Sequence, residues 1–193
     1  MRIPGLTISL AVASLCLVMQ AAAQRSEYHV DRAAKNLVTF ISDAPIEDFE
    51  GSTSKIDGYL AYDGESFTSN SDLYFEVDLR TLDTGIGLRN RHMREDYLHT
   101  KKYPYAKFRG KIIAATPSGD KTTVKVSGSM DIHGVKRSMD ISGTIRPSGD
   151  RLRITTTFDV SLPHHDIEVP QFMFMKIDEN MELVLDFTLK NVK

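Results

Sequence analysis

Cysteine is almost missing from this 193-residue chain: there is one, Cys16, and it lies in an apolar run near the start. If that run is removed, no thiol remains, which excludes a disulfide framework and thiolate chemistry and leaves the fold to stand on its own core. Leu15, just before Cys16, is larger than the small residue that a lipoprotein cleavage site places there, which argues against a lipid anchor. No stretch reaches 18 consecutive apolar residues, so a stable membrane span is not expected. A glycine-rich phosphate loop ahead of a helix is also lacking, as are a nucleotide fingerprint and a serine in a nucleophile elbow. The 24 Lys and Arg are interspersed with 26 Asp and Glu, and no basic run alternates with aromatics, so nucleic acid is not an expected partner. Nothing in the sequence calls for a cofactor.

The residues that are present begin with an export signal. Met1 to Ala23 holds one basic residue, Arg2, then an apolar run from Leu6 to Met19 and the small residues Ala21, Ala22 and Ala23. This reads as a secretory signal peptide over residues 1–23, with cleavage before Gln24 and a periplasmic or secreted product. Residues 24–193 have the size of a single domain with one core.

Through most of that domain the apolar residues repeat every second position. In "SDLYFEVDL", Leu73, Phe75, Val77 and Leu79 fall opposite Asp72, Glu76 and Asp78. Val124, Val126, Met130 and Ile132 share one face of a second run, Leu152, Ile154, Phe158 and Val160 one face of a third, and Met181, Leu183, Leu185, Phe187 and Leu189 one face of a fourth. Such alternation means antiparallel strands with one apolar face. Turn signals at "YDGES", "TPSGD", "DIHGV" and "RPSGD" separate the runs. With shorter runs at 36–41, 54–62 and 108–115, the pattern predicts an all-β, elongated antiparallel barrel of about eight strands. Closure is the economical way to remove the edges of a meander whose strands, at 121–132, 135–146 and 151–162, are long.

Residues 87–100 break the alternation and predict a short helix, with Leu88, His92 and Asp96 on one stripe and Met93 and Tyr97 beside it. His92, Asp96 and His99 are zinc-ligand types at usable spacing, but Arg89, Arg91 and Arg94 oppose a cation there. The reading preferred on composition is a helix that closes the barrel, with Met93, Tyr97 and Leu98 buried and Arg89, Arg94, Glu95 and Asp96 in surface pairs. His164 and His165, between Pro163 and Pro170, read as surface-loop residues, since no nucleophile accompanies them. "QFMFMKI" is apolar on both sides of any strand at Phe172, Met173, Phe174 and Met175. It fits either a buried strand or an adaptable wall over a cavity.

The segments "FEVDLRTLDTGIGLRNRHMREDYLHTKKYPYAKFRGKI", "VSGSMDIHGVKRSMDISGTI" and "VPQFMFMKIDENMELVLDFTL" resemble the YceI-like proteins, exported bacterial proteins of lipocalin-like fold that bind polyisoprenoids or related lipids. The shared pattern falls on Thr84, Gly85, Arg89, His92, Asp96, Tyr97, Tyr103, Pro104 and Phe108, and later on Gly134, Val135 and Arg137. Where many members have a histidine after the first core strand, this chain has Asp43, Ala44 and Pro45. The resemblance implies a lipocalin-like barrel that carries an isoprenoid or other long-chain lipid and is not an enzyme. Candidate lining residues are Phe75, Val77, Met130, Phe158, Phe172, Met173, Phe174, Met175 and Leu185, with no catalytic or metal-binding residue assigned. Two alternatives remain open: an exported structural or stress-response barrel without ligand, and a metal-dependent enzyme using His92, Asp96 and His99. The sequence sets no oligomeric state, and a dimer is compatible with it.

Overall fold

The alternation seen in the sequence becomes an antiparallel sheet that closes on itself. A computed structural model describes residues 24–42, 49–172 and 175–192, without the side chains of residues 171–176. The signal peptide expected at 1–23 and the family departure at Asp43, Ala44 and Pro45 lie outside the described residues.

In chain order the strands are β1 (Arg25–Val30), β2 (Leu37–Ser42), β3 (Phe49–Thr53), β4 (Ile56–Asp63) and β5 (Asp72–Asp78). After helix α1 (Gly87–His92) come β6 (Tyr105–Ser118), β7 (Lys121–Ile132), β8 (Val135–Ser148), β9 (Arg151–Ser161), the short β10 (Gln171–Phe172) and β11 (Met175–Lys176), and β12 (Asn180–Asn191). From β4 through β9 each strand pairs with the next, β9 pairs with β12, and β12 closes the ring on β1 and β2. β1 and β2 form one broken stave, and β3 and β4 another, because β2 pairs with β3 and β1 with β4. The barrel therefore has eight staves, as the sequence predicts.

The breaks are made by polar residues. Between β1 and β2 the chain leaves the ladder at Asp31, and the buried Asn36 replaces the missing backbone pairing: its side chain accepts from the Thr188 amide (3.0 Å) and donates to the Asp31 carbonyl (3.0 Å). The β7–β8 hairpin turns on His133 and Gly134, both at positive φ (55° and 78°), as a two-residue loop between right-twisted strands requires.

One end of the barrel is solid. Tyr28 and Tyr62 stack at 6.1 Å, Phe67 meets Tyr62 edge-on at 4.9 Å, and Leu152 and Leu189 are fully enclosed beside them. Burial pushes the Tyr62 hydroxyl up to about 12, so it stays neutral. Toward the middle, three phenylalanines form a floor. Phe75 packs edge-on against Phe187 at 5.0 Å and pairs across the sheet with Phe108. Glycines make room for two of these rings. A Cβ on Gly58 would lie 2.8 Å from the Phe75 ring, and one on Gly128 would lie 2.6 Å from the Phe108 ring.

Candidate functional site

Above that floor the barrel is hollow. The cavity is about 680 Å³, and its wall is built from the inward positions of every stave. Val77 of β5, Val126 and Met130 of β7, Ile154 and Phe158 of β9, and Leu183 and Leu185 of β12 are among them. Phe75, Val77, Met130, Phe158 and Leu185, which the alternation places inside, all face this space. Four of the five are only half-buried where they border the cavity; Met130 is buried. Of the expected methionine and phenylalanine wall, Met173 and Phe174 lie outside the described residues. Phe172 and Met175 are placed only as backbone, paired in the β10–β11 hairpin.

The mouth is spanned by the β5–β6 connection. A 3-10 turn at Leu79–Thr81, capped by the Asp78 carboxylate accepting from the Arg80 amide, buries Leu79 and Leu82 under the rim. α1 follows and buries none of its residues. Polar anchors hold it: Asn90 donates to Asp83 (2.7 Å) and accepts from the Thr84 amide (2.8 Å), while Arg89 donates to the Thr84 hydroxyl and carbonyl (2.9 Å each). Ile86 and Leu88 line the cavity and are yet 52% and 56% exposed, so the apolar interior reaches solvent at the helix. The helix is thus a partial cover and not a plug.

One expectation for this segment is met and another is corrected. The short helix expected in the 87–100 connection is present: regular α-helix runs over Gly87–His92 and widens into a π-helical turn over Met93–Tyr97. Among the described residues, however, Arg89 and Arg94 form no surface ion pairs with Glu95 or Asp96. Both turn inward to carbonyls of the preceding loop, Arg89 to Thr84 and Arg94 to Leu82, where backbone acceptors outside regular structure need donors. Met93, Tyr97 and Leu98 are half-buried and line the cavity.

The histidines do not gather as the metal alternative requires. No group of three or more His, Cys, Asp or Glu placed to hold a metal occurs among the described residues. His92 lines the mouth, and His99 points to another connection, its Nδ1 sharing a hydrogen bond with His133 Nε2 at 2.8 Å. In the sequence, "HG" at His133 and Gly134 reads only as a hairpin turn. It continues to the His165 carbonyl (3.3 Å), and Tyr103 meets its ring edge-on at 4.5 Å.

His165 is the second correction. Expected on the surface, it is 4% exposed. Its place follows from a gap in the barrel: β8 pairs with β9 only from Gly143 onward, so the edge at 135–142 is left without a ladder partner. The 3-10 turn Pro163–His165 fills the gap, with His165 Nδ1 on the Val135 carbonyl (3.0 Å) and Arg137 Nε donating to the His164 carbonyl (2.7 Å). Burial pushes the His165 imidazole below its ordinary value of 6.5, partly countered by the Val135 carbonyl; the Arg137 charge lowers it further. A depressed histidine resists protonation in the fold while the unfolded chain accepts the proton. Its stabilising effect is therefore whole above pH 6.5 and is lost as pH falls toward the folded-state value. Urea midpoints measured from pH 7.5 to 5 should decline below 6.5, by at most about 1.4 kcal/mol per pH unit from this group, and His165→Gln should flatten that decline. An unchanged decline in the variant would assign it to other groups.

Comparison with known proteins follows the same architecture. A YceI-like domain model matches residues 28–189. UPF0312 proteins of Pseudomonas putida are 26% identical over 188 residues, covering 92% of both chains, and one from Pseudomonas syringae pathovar tomato is 29% identical over 146 residues, covering 73% of this chain and 74% of that one. Among solved structures, Burkholderia cenocepacia BcnA superposes with a TM-score of 0.68 at 18% identity, over 82% of this chain and 98% of its own. A polyisoprenoid-binding domain from Saccharophagus degradans, implicated in plant cell wall breakdown, superposes at 0.65 with 16% identity, over 86% and 99%. At these identities the superpositions establish a shared barrel, while the domain match spans the ring from β1 to β12. The chain belongs to the YceI-like family.

Proposed function

We propose that this protein is an exported carrier that sequesters a polyisoprenoid or similar long-chain amphiphile in its barrel and is not an enzyme. The observation that carries this reading is the open apolar cavity: about 680 Å³ falls within the roughly 300–1,000 Å³ of small-molecule sites, and its lining among the described residues is almost wholly apolar. Phe75, Val77, Met130, Phe158 and Leu185, with the 172–175 segment, are the proposed contacts. The polyisoprenoid-binding domain of Saccharophagus degradans supports the choice of ligand class.

Magnitudes favour a long chain. Each buried methylene contributes about 0.8 kcal/mol, against an association cost on the order of 4–15 kcal/mol. A chain of about ten or more carbons is therefore needed before binding is net favourable without polar contacts. Native mass spectrometry of the protein beginning at Gln24, followed by organic extraction, tests the reading. The expected result is a stoichiometric apolar molecule, or uptake of an added isoprenoid. A bare protein mass that added isoprenoids do not change would overturn it in favour of a structural barrel.

A further inference from the structure

The cavity wall is uneven in charge, and the unevenness bears on the ligand's polar end. Among the described lining residues there is no Asp or Glu. The basic side chains are Arg89 and His92, both on α1 at the mouth, and Lys107, whose ammonium lies 5.9 Å from the Tyr105 ring. Arg89 is half-buried, its Cζ over the Phe49 ring at 4.6 Å from the centroid, and fixed by the two bonds to Thr84. Its charge meets no carboxylate among the described residues, unlike Arg25, Arg80, Arg109, Arg151 and Arg153, which are all paired.

Resting on the carrier reading, we propose that the mouth selects amphiphiles ending in an oxyanion, a phosphate or a carboxylate, which Arg89 receives with His92 beside it. The chain then extends past α1 toward the Phe75 floor. A guanidinium already oriented by its neighbours loses little freedom on binding, and its remaining N–H donors match two oxygens of one anion. The low-dielectric wall around it strengthens that attraction relative to water. A neutral alcohol of the same chain would gain the burial term and leave the guanidinium charge uncompensated.

The test compares farnesyl monophosphate with farnesol, and palmitate with hexadecanol, by isothermal titration against the protein beginning at Gln24. The expected result is that each anion binds at least about tenfold more tightly than its alcohol, with the ratio shrinking as salt is raised. In Arg89→Gln the ratio should fall to about twofold, and in Arg89→Lys it should stay above that of the glutamine variant, which separates charge from folding. Equal affinities for anion and alcohol in the unmodified protein would overturn the inference, as would a ratio unchanged in Arg89→Gln. The salt series on the unmodified protein still decides if the glutamine variant does not fold: a ratio insensitive to salt counts against an ionic contact. If neither anions nor alcohols bind, the carrier reading fails as well; if alcohols bind equally well, only the inference about the polar end fails. A tighter phosphate than palmitate would point to a lipid phosphate, and the reverse to a fatty acid.

Discussion

Phe187→Ala should lower the unfolding free energy by about 3–5 kcal/mol, the usual cost of truncating an enclosed phenylalanine. For a domain of this size that is a loss on the order of 10 °C in melting temperature. Phe187 is 2% exposed, meets Phe75 edge-on at 5.0 Å and sits opposite Ile154 of the neighbouring stave. It divides the solid end of the barrel from the hollow end, so its removal both deletes buried area and extends the cavity downward. Phe158 offers the contrast, since it lines the same cavity but is only half-buried. Much of its ring faces empty space, and Phe158→Ala should cost about half as much or less, because few contacts exist to lose. Denaturant unfolding of the two variants decides the point. Equal losses would mean that the barrel is packed around Phe158 as tightly as around Phe187.

The difference between these two residues marks where sequence reasoning stops. Leu73, Phe75 and Val77 in β5, or Met181 through Leu189 in β12, announce an inward face by period alone. Inward residues of a filled barrel and of a hollow one nevertheless alternate identically, and whether space remains depends on the lengths of side chains from opposite staves. The staves that close the ring are less legible. "EYHV" in β1 and "FEGST" in β3 are short and polar, and their place is set by the strands they pair with, β1 with β4 and β12 and β3 with β2, with the Asn36 side chain bridging the break between β1 and β2. The mouth is legible in part. The strand period of β5 runs out at Leu79, and Leu82, Ile86 and Leu88 are apolar residues in the segment beyond it, as a cover over an apolar opening requires. His165 could not be placed from local sequence, because the gap that buries it is made by β8 and β9, far from it in the chain.

Paired substitution of Val126→Trp and Leu185→Trp should abolish uptake of long chains, with affinity for an isoprenoid or fatty chain falling at least about a hundredfold, while the fold is retained. Val126 on β7 and Leu185 on β12 belong to staves three apart in the eight-membered ring, and both are half-buried wall residues of the cavity. Two indoles entering from these sides occupy the path between the mouth and the Phe75 floor. The gross apolar gain on which a chain ligand depends, about 0.8 kcal/mol per methylene, is then lost for every carbon that can no longer pass. The stability of the same variant carries a second, independent reading. In a filled core, two tryptophans in place of valine and leucine force side chains off their rotamers at roughly 1–3 kcal/mol each. In a hollow barrel they gain contacts with walls that had none, and the melting temperature should hold or rise. Calorimetry and ligand titration on one protein therefore separate the two barrels: lost uptake with preserved stability means a carrier, and a steep loss of stability means a structural core without room for a ligand.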